Sequence, residues 1–69
     1  MNKLYLSKDL YKKDAIEKTV MAFSDLSTIT AYDDSDYYIC VFDKCTYEAS
    51  VTIKEFENYL IDLCNKLGY

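Results

Sequence analysis

Sixty-nine residues with 51% hydrophobic and 16% aromatic content, one glycine and no proline make one folded domain, 1–69, with too little apolar surface to spare for a large substrate cleft. A net charge of −4 with no arginine excludes a phosphate backbone as a direct partner, because nucleic-acid affinity rests on cationic side chains displacing counterions. The apolar runs fall well short of the roughly 20 residues that span a bilayer, and MNKLYLSKDL has no apolar core of a signal peptide, so no membrane partner and a cytoplasmic location are expected.

Leu4-Tyr5-Leu6 reads as a brief first strand before Ser7. From Lys12 to Leu26 the period turns helical: with Ile16 as origin, Val20 falls at about 40° and Phe23 at about 340°, flanked by Ala15, Thr19 and Leu26. Asp14 and Glu17 suit the positive end of that helix, Lys12 is a weak cap, and Lys18, Asp25 and Met21 point outward. Ser27 to Tyr32 alternates with a period of two, Asp33 to Asp36 supplies a turn, and Tyr37 to Phe42 returns as the second strand of a hairpin. Asp43 to Ser50 is either a loop or a short extra strand. Thr52 and Glu55 have capping-box spacing, Val51 and Phe56 that of a hydrophobic staple, and Gly68 is the stop signal. Leu60, Leu63 and Leu67 lie within about 40° of Phe56 and form the core stripe, whereas Ile61 falls among Asn58, Asp62 and Asn65 on the outer face.

This order predicts an α+β fold, a small β-α-β-β-α domain whose three-stranded sheet carries both helices on one face. If Ile29, Ala31, Ile39 and Val41 meet the helices, then Thr30, Tyr32, Tyr38, Cys40 and Phe42 face outward as an aromatic patch. Asn58 and Asp62, four apart with Ile61 beside them, make a second candidate contact point. Three cysteines and no histidine match no common zinc spacing, so reduced thiols, no metal and no cofactor are expected. Cys45 is the candidate reactive thiol, but no base accompanies it in the sequence, and a non-catalytic protein is expected.

Two blocks resemble the HxsD-like small proteins of the bacterial His-Xaa-Ser systems, which accompany radical-SAM enzymes in gene clusters for modified peptides. The first is Tyr11, Ala15-Ile16 and Phe23-Ser24-Asp25; the second is Glu55-Phe56, Asn58, Leu60 and Asp62, similar to the family's E-F-x-N-x-L-x-D helix. The sequence departs from the family at Lys12, where a serine-like cap is expected, in lacking its basic residues, and in its three cysteines and eight tyrosines. The resemblance implies an accessory module that engages a precursor peptide or a radical-SAM maturation enzyme. Tyr32, Tyr38, Cys40, Phe42, Asn58, Ile61 and Asp62 are the expected contact residues. Two alternatives stand beside it: a homodimer formed sheet on sheet or edge to edge, and a phosphate-mimicking inhibitor of a nucleic-acid enzyme presenting Asp33, Asp34, Asp36, Asp43 and Glu48.

Overall fold

The computed structural model of the chain describes residues 2–67. Its elements are β1 (Asn2–Ser7), α1 (Lys13–Ala22), β2 (Thr28–Asp33), β3 (Tyr37–Asp43) and α2 (Ala49–Leu67), in the expected β-α-β-β-α order. The strands form one antiparallel sheet of order β1-β3-β2. β3 is therefore the centre, and β1 and β2 run parallel to each other as the two edges.

Both helices cover one face of this sheet. Ala15, Ile16 and Phe23 from the first helical segment and Phe56, Leu60 and Cys64 from α2 close over Leu6, Cys40 and Phe42. Phe56 is the hub, with its ring centroid 5.1 Å from that of Phe42 and 5.4 Å from that of Phe23, both edge to face. Of the helical stripes read from the sequence, Ile16, Phe23, Phe56 and Leu60 are buried and Val20 and Leu63 half-buried, and Met21 and Ile61 are exposed as expected. The side chain of Leu67, and Gly68, lie outside the described residues.

The sheet corrects the expected assignment of faces. Asp34 N–H donates to the Tyr37 carbonyl at 2.8 Å and closes the hairpin around Ser35 and Asp36. A loop with an even number of residues pairs odd positions of β2 with even positions of β3, here Ile29 with Phe42 and Ala31 with Cys40. On the other side, Leu4 meets Cys40 and Leu6 meets Tyr38. Ile29 and Ala31 thus lie on the helix face as expected, and Thr30 and Tyr32 on the open face. Tyr38, Cys40 and Phe42, however, turn toward the helices, while Ile39 and Val41 turn outward.

Ile39 and Val41 stay only 6% and 7% exposed on that uncovered face. The cross-strand rows explain it: Tyr5 and Tyr32 flank Ile39, and Lys3 and Thr30 flank Val41. Tyr5 also meets Tyr37 edge to face at 6.0 Å. These phenol rings roof the aliphatic side chains and carry a polar tip that suits water, so the open face needs no second layer to shield Ile39 and Val41.

Element ends differ from expectation where side chains bond locally. α1 stops at Ala22 rather than Leu26, and Leu26 and Ser27 donate their N–H groups to the Phe23 carbonyl. The Ser27 hydroxyl then donates to the Asp43 carbonyl at 2.8 Å, which fastens this exit to the end of β3. α2 begins at Ala49, so Thr52 is not its cap; it lies in the first turn, and its hydroxyl donates to the Glu48 carbonyl at 3.1 Å. Residues 44–48 form a loop, with Lys44 in the left-handed region at φ 51°.

Burial separates the cysteines. Cys40 is fully enclosed, which pushes its thiol up to about 11, and Cys64 is buried, whereas Cys45 is half-buried beside the Ser27 hydroxyl at 3.2 Å. Iodoacetamide near pH 8 is therefore expected to modify Cys45 first, and Cys40 only as fast as the domain unfolds. Peptide mapping by mass spectrometry reads the order; prompt native labelling of Cys40 would contradict the sheet phase described above.

Candidate functional site

Backbone hydrogen bonding decides what each edge offers. In an antiparallel pair, residues alternate between bonding to the neighbouring strand and pointing their N–H and C=O away from it. The Asp34–Tyr37 bond sets this phase for β2: Thr28, Thr30 and Tyr32 bond to β3, and Ile29, Ala31 and Asp33 present their backbone groups to the free edge. Lys8 N–H donates to the Asp36 carbonyl at 3.1 Å and sets the phase of β1, whose outward residues are Lys3, Tyr5 and Ser7.

The two edges are not equivalent. The outward residues of β1 carry side chains on the open face, away from the helices. Those of β2 carry side chains on the helix face, where a groove of about 350 Å³ runs between β2 and α1. That volume is at the lower end of the usual range for ligand pockets, ~300–1,000 Å³. Its helical wall is the stripe Lys13, Ile16, Glu17, Val20 and Met21, spaced at i, i+3, i+4, i+7 and i+8. Its sheet side is Ala31, Tyr32, Asp33 and Tyr38. The small side chain of Ala31 is what leaves the groove open, in the row where Leu4 and Cys40 fill the rest of the sheet.

Edge strands usually carry a charge, a proline or a bulge that deters pairing. β1 has Lys3. The Thr28 to Tyr32 stretch of β2 has none of these, and its first charge is Asp33. Asp33 is held by Lys8, whose ammonium is 3.2 Å from Asp33 Oδ2 and 5.3 Å from the centre of the Tyr38 ring. The hydrogen bond and charge of Lys8 draw the Asp33 carboxyl below its ordinary value. A lowered folded-state value means that the pair contributes above the ordinary carboxylate range and is lost as pH falls through the Asp33 value. In a carbonyl-detected NMR titration Asp33 is expected to titrate below an ordinary aspartate, and Lys8→Ala to return it to the ordinary range; an unmoved midpoint in Lys8→Ala would remove the pair from the account.

Of the residues expected from the sequence, Tyr38 lines this groove from the helix face, and Tyr32 borders it although its side chain belongs to the open face. Cys40 and Phe42, at 0% and 1% exposure, belong to the core and cannot meet a partner, because the hairpin register turns them under the helices. Asn58, Ile61 and Asp62 remain on the outer face of α2, where Asp62 pairs with Lys66 at 3.7 Å and none of the three lines the groove. The acidic residues do not form one cluster. Asp33, Asp34 and Asp36 sit at the hairpin end, while Asp43 ends β3, about 20 Å away by strand length, and Glu48 lies in the loop beyond it. Val20, Met21, Ala31, Lys13 and Glu17 were not among the expected contacts, although the outward Met21 and the small Ala31 between Thr30 and Tyr32 were their visible signs.

Among the described residues, no group of three cysteine or acidic side chains gathers closely enough to hold a metal ion. No described helix is long and apolar enough to cross a membrane. No protein-family model matches the chain, and no curated protein or solved structure matches it either.

Proposed function

We propose that this protein is a non-catalytic peptide-binding module that takes up an extended segment as a fourth strand along β2. The observation that carries the reading is the coincidence of an unguarded edge with an apolar groove on the same residues. Ile29, Ala31 and Asp33 turn their backbone groups to the free edge, and two of them, Ala31 and Asp33, line the groove against α1. Strand addition works in this way: main-chain bonds give affinity, and pockets for alternate side chains give selectivity.

The resemblance of Phe23-Ser24-Asp25 and of the Glu55 to Asp62 block to the HxsD-like proteins supports a precursor peptide of a modified-peptide system as the natural ligand, held for a radical-SAM enzyme. In that arrangement the outer face of α2, with Asn58, Ile61 and Asp62, is free to contact the enzyme while β2 holds the peptide. Charge reversal at Asp62 is then expected to weaken enzyme binding while leaving peptide affinity and the melting temperature unchanged, as read by calorimetry.

The peptide reading is tested by selecting displayed heptapeptides on the immobilised protein and measuring the winners by fluorescence anisotropy. Recovered peptides are expected to alternate apolar and polar residues and to lose affinity for Met21→Glu, which places a charge on the groove wall at a side chain 75% exposed. Peptides that bind Met21→Glu as well as the unaltered protein would contradict the site, and so would the recovery of none.

A further inference from the structure

We propose that the segment received by β2 runs antiparallel to it and is basic at its amino-terminal end, with a lysine or arginine opposite Asp33 and apolar side chains opposite Ala31 and Ile29. The proposal rests on the peptide-binding reading above and adds the direction, register and charge of the occupant.

Register follows from the backbone. Residues directly opposite Ile29, Ala31 and Asp33 in an antiparallel pair exchange hydrogen bonds with them and share their face, so they send side chains toward the groove. The residue opposite Ala31 enters between Ile16 and Val20 of α1, where it meets carbon on several sides. The residue opposite Tyr32 lies on the open face beside that ring and is free to be polar.

Charge sets which end of the segment is basic, and the greater stability per residue of an antiparallel ladder sets its direction. Three carboxylates, Asp33, Asp34 and Asp36, stand at the hairpin end of β2, and among the described residues only Asp33 has an ion pair, with Lys8. The Asp34 carboxylate accepts the Ser35 N–H at 2.6 Å, and Asp36 is exposed. On the helical wall, Lys13 and Glu17 are opposite in sign and one turn apart, and beyond them Val20 and Met21 are uncharged. Lys8 and Lys13 both act on Asp33, so the lining of the groove is close to balanced, and the acidity of this end comes from Asp34 and Asp36 beside it, which have no counterpart on the groove wall at Val20 and Met21. A basic side chain opposite Asp33 meets that acidic end as a cross-strand pair, and in an antiparallel segment it comes first. A second copy of this chain meets the demand poorly. Same-face pairing of β2 with itself sets Asp33 against Ser27, Ile29, Ala31 or another Asp33, and none of these is a cation.

Three capped, fluorescein-labelled peptides test this: one with the core lysine-threonine-isoleucine-threonine-valine, one with glutamate in place of lysine, and one with the core reversed. The lysine peptide is expected to bind about fivefold or more tightly than the glutamate peptide, with the difference shrinking in high salt, and tighter than the reversed one. In Asp33→Lys the preference is expected to invert. Equal binding of the lysine and glutamate peptides, still lost in Met21→Glu, would overturn the charge inference and leave the peptide reading standing. Tighter binding of the reversed core would overturn the direction. Failure of all three peptides to bind would overturn the inference, while the displayed heptapeptides separately decide the reading beneath it. A concentration-dependent dimer that blocks the peptides would assign the edge to a second copy and overturn both.

Discussion

Phe56→Ala is expected to unfold the domain. The substitution removes the ring that Phe42 and Phe23 both meet edge to face and leaves a cavity at the junction of α1, α2 and β3. Such truncations cost about 3–5 kcal/mol. A chain of this length has a total stability of only about 3–10 kcal/mol, at roughly 0.05–0.15 kcal/mol per residue. Few other contacts can compensate, because α1 has just ten residues and its Lys12 cap makes no side-chain bond. Urea denaturation followed by circular dichroism should show little or no native baseline for Phe56→Ala, whereas Phe56→Leu, which keeps most of the volume, should retain a cooperative transition. A melting curve for Phe56→Ala like that of the unaltered protein would mean that the aromatic junction is not the core.

The second large effect separates two neighbouring prolines. Thr30 points its N–H into the ladder with β3, and Ala31 points its N–H outward. Thr30→Pro removes a sheet hydrogen bond and is expected to destabilise the fold by about 1–3 kcal/mol. Proline is tolerated on an edge strand where the missing N–H faces solvent, so Ala31→Pro is expected to leave the melting temperature nearly unchanged. Its effect falls on binding: it deletes the central donor of the free edge and sets a ring where an added strand must approach, and affinity for a selected peptide should drop about tenfold or more. Equal destabilisation by both prolines would show that the backbone phase of β2 is wrong. A folded Ala31→Pro protein that binds peptide normally would show that the edge is not the acceptor.

The helical part of the fold was legible because its apolar residues repeat with one period and only one face is apolar. Ile16, Thr19, Phe23, Phe56 and Leu60 could be placed inside before any strand was considered. The phase of β3 was harder, since Tyr37 to Phe42 is apolar on both faces and alternation cannot choose between them. The turn held the answer: the even-numbered run from Asp33 to Asp36 already pairs odd positions of β2 with even positions of β3, as the observed two-residue loop does. The aromatic surface was therefore expected from Tyr32, Tyr38 and Phe42 and is found at Tyr5, Tyr32 and Tyr37, with Tyr32 alone common to both. The groove was not legible, because it is a space left by Ala31 and by the distance between α1 and β2, and neither is a periodicity.

An acidic chain of this kind need not act as a phosphate mimic. The five carboxylates of that reading are divided between the two ends of β3, and those at the hairpin end stand where a β2-bound segment would begin. An edge, a groove and a charged end on one strand are enough for orientation, register and selectivity without a catalytic group.

The most direct measurement is amide hydrogen exchange of the isotope-labelled protein with and without the tightest selected peptide. In the free protein the amides of Ile29, Ala31 and Asp33 should exchange rapidly and those of Thr30 and Tyr32 slowly. With the peptide bound, the three outward amides should become protected while Lys3, Tyr5 and Ser7 on the β1 edge stay unchanged. Protection that appears on β1, or on no edge at all, would contradict strand addition at β2.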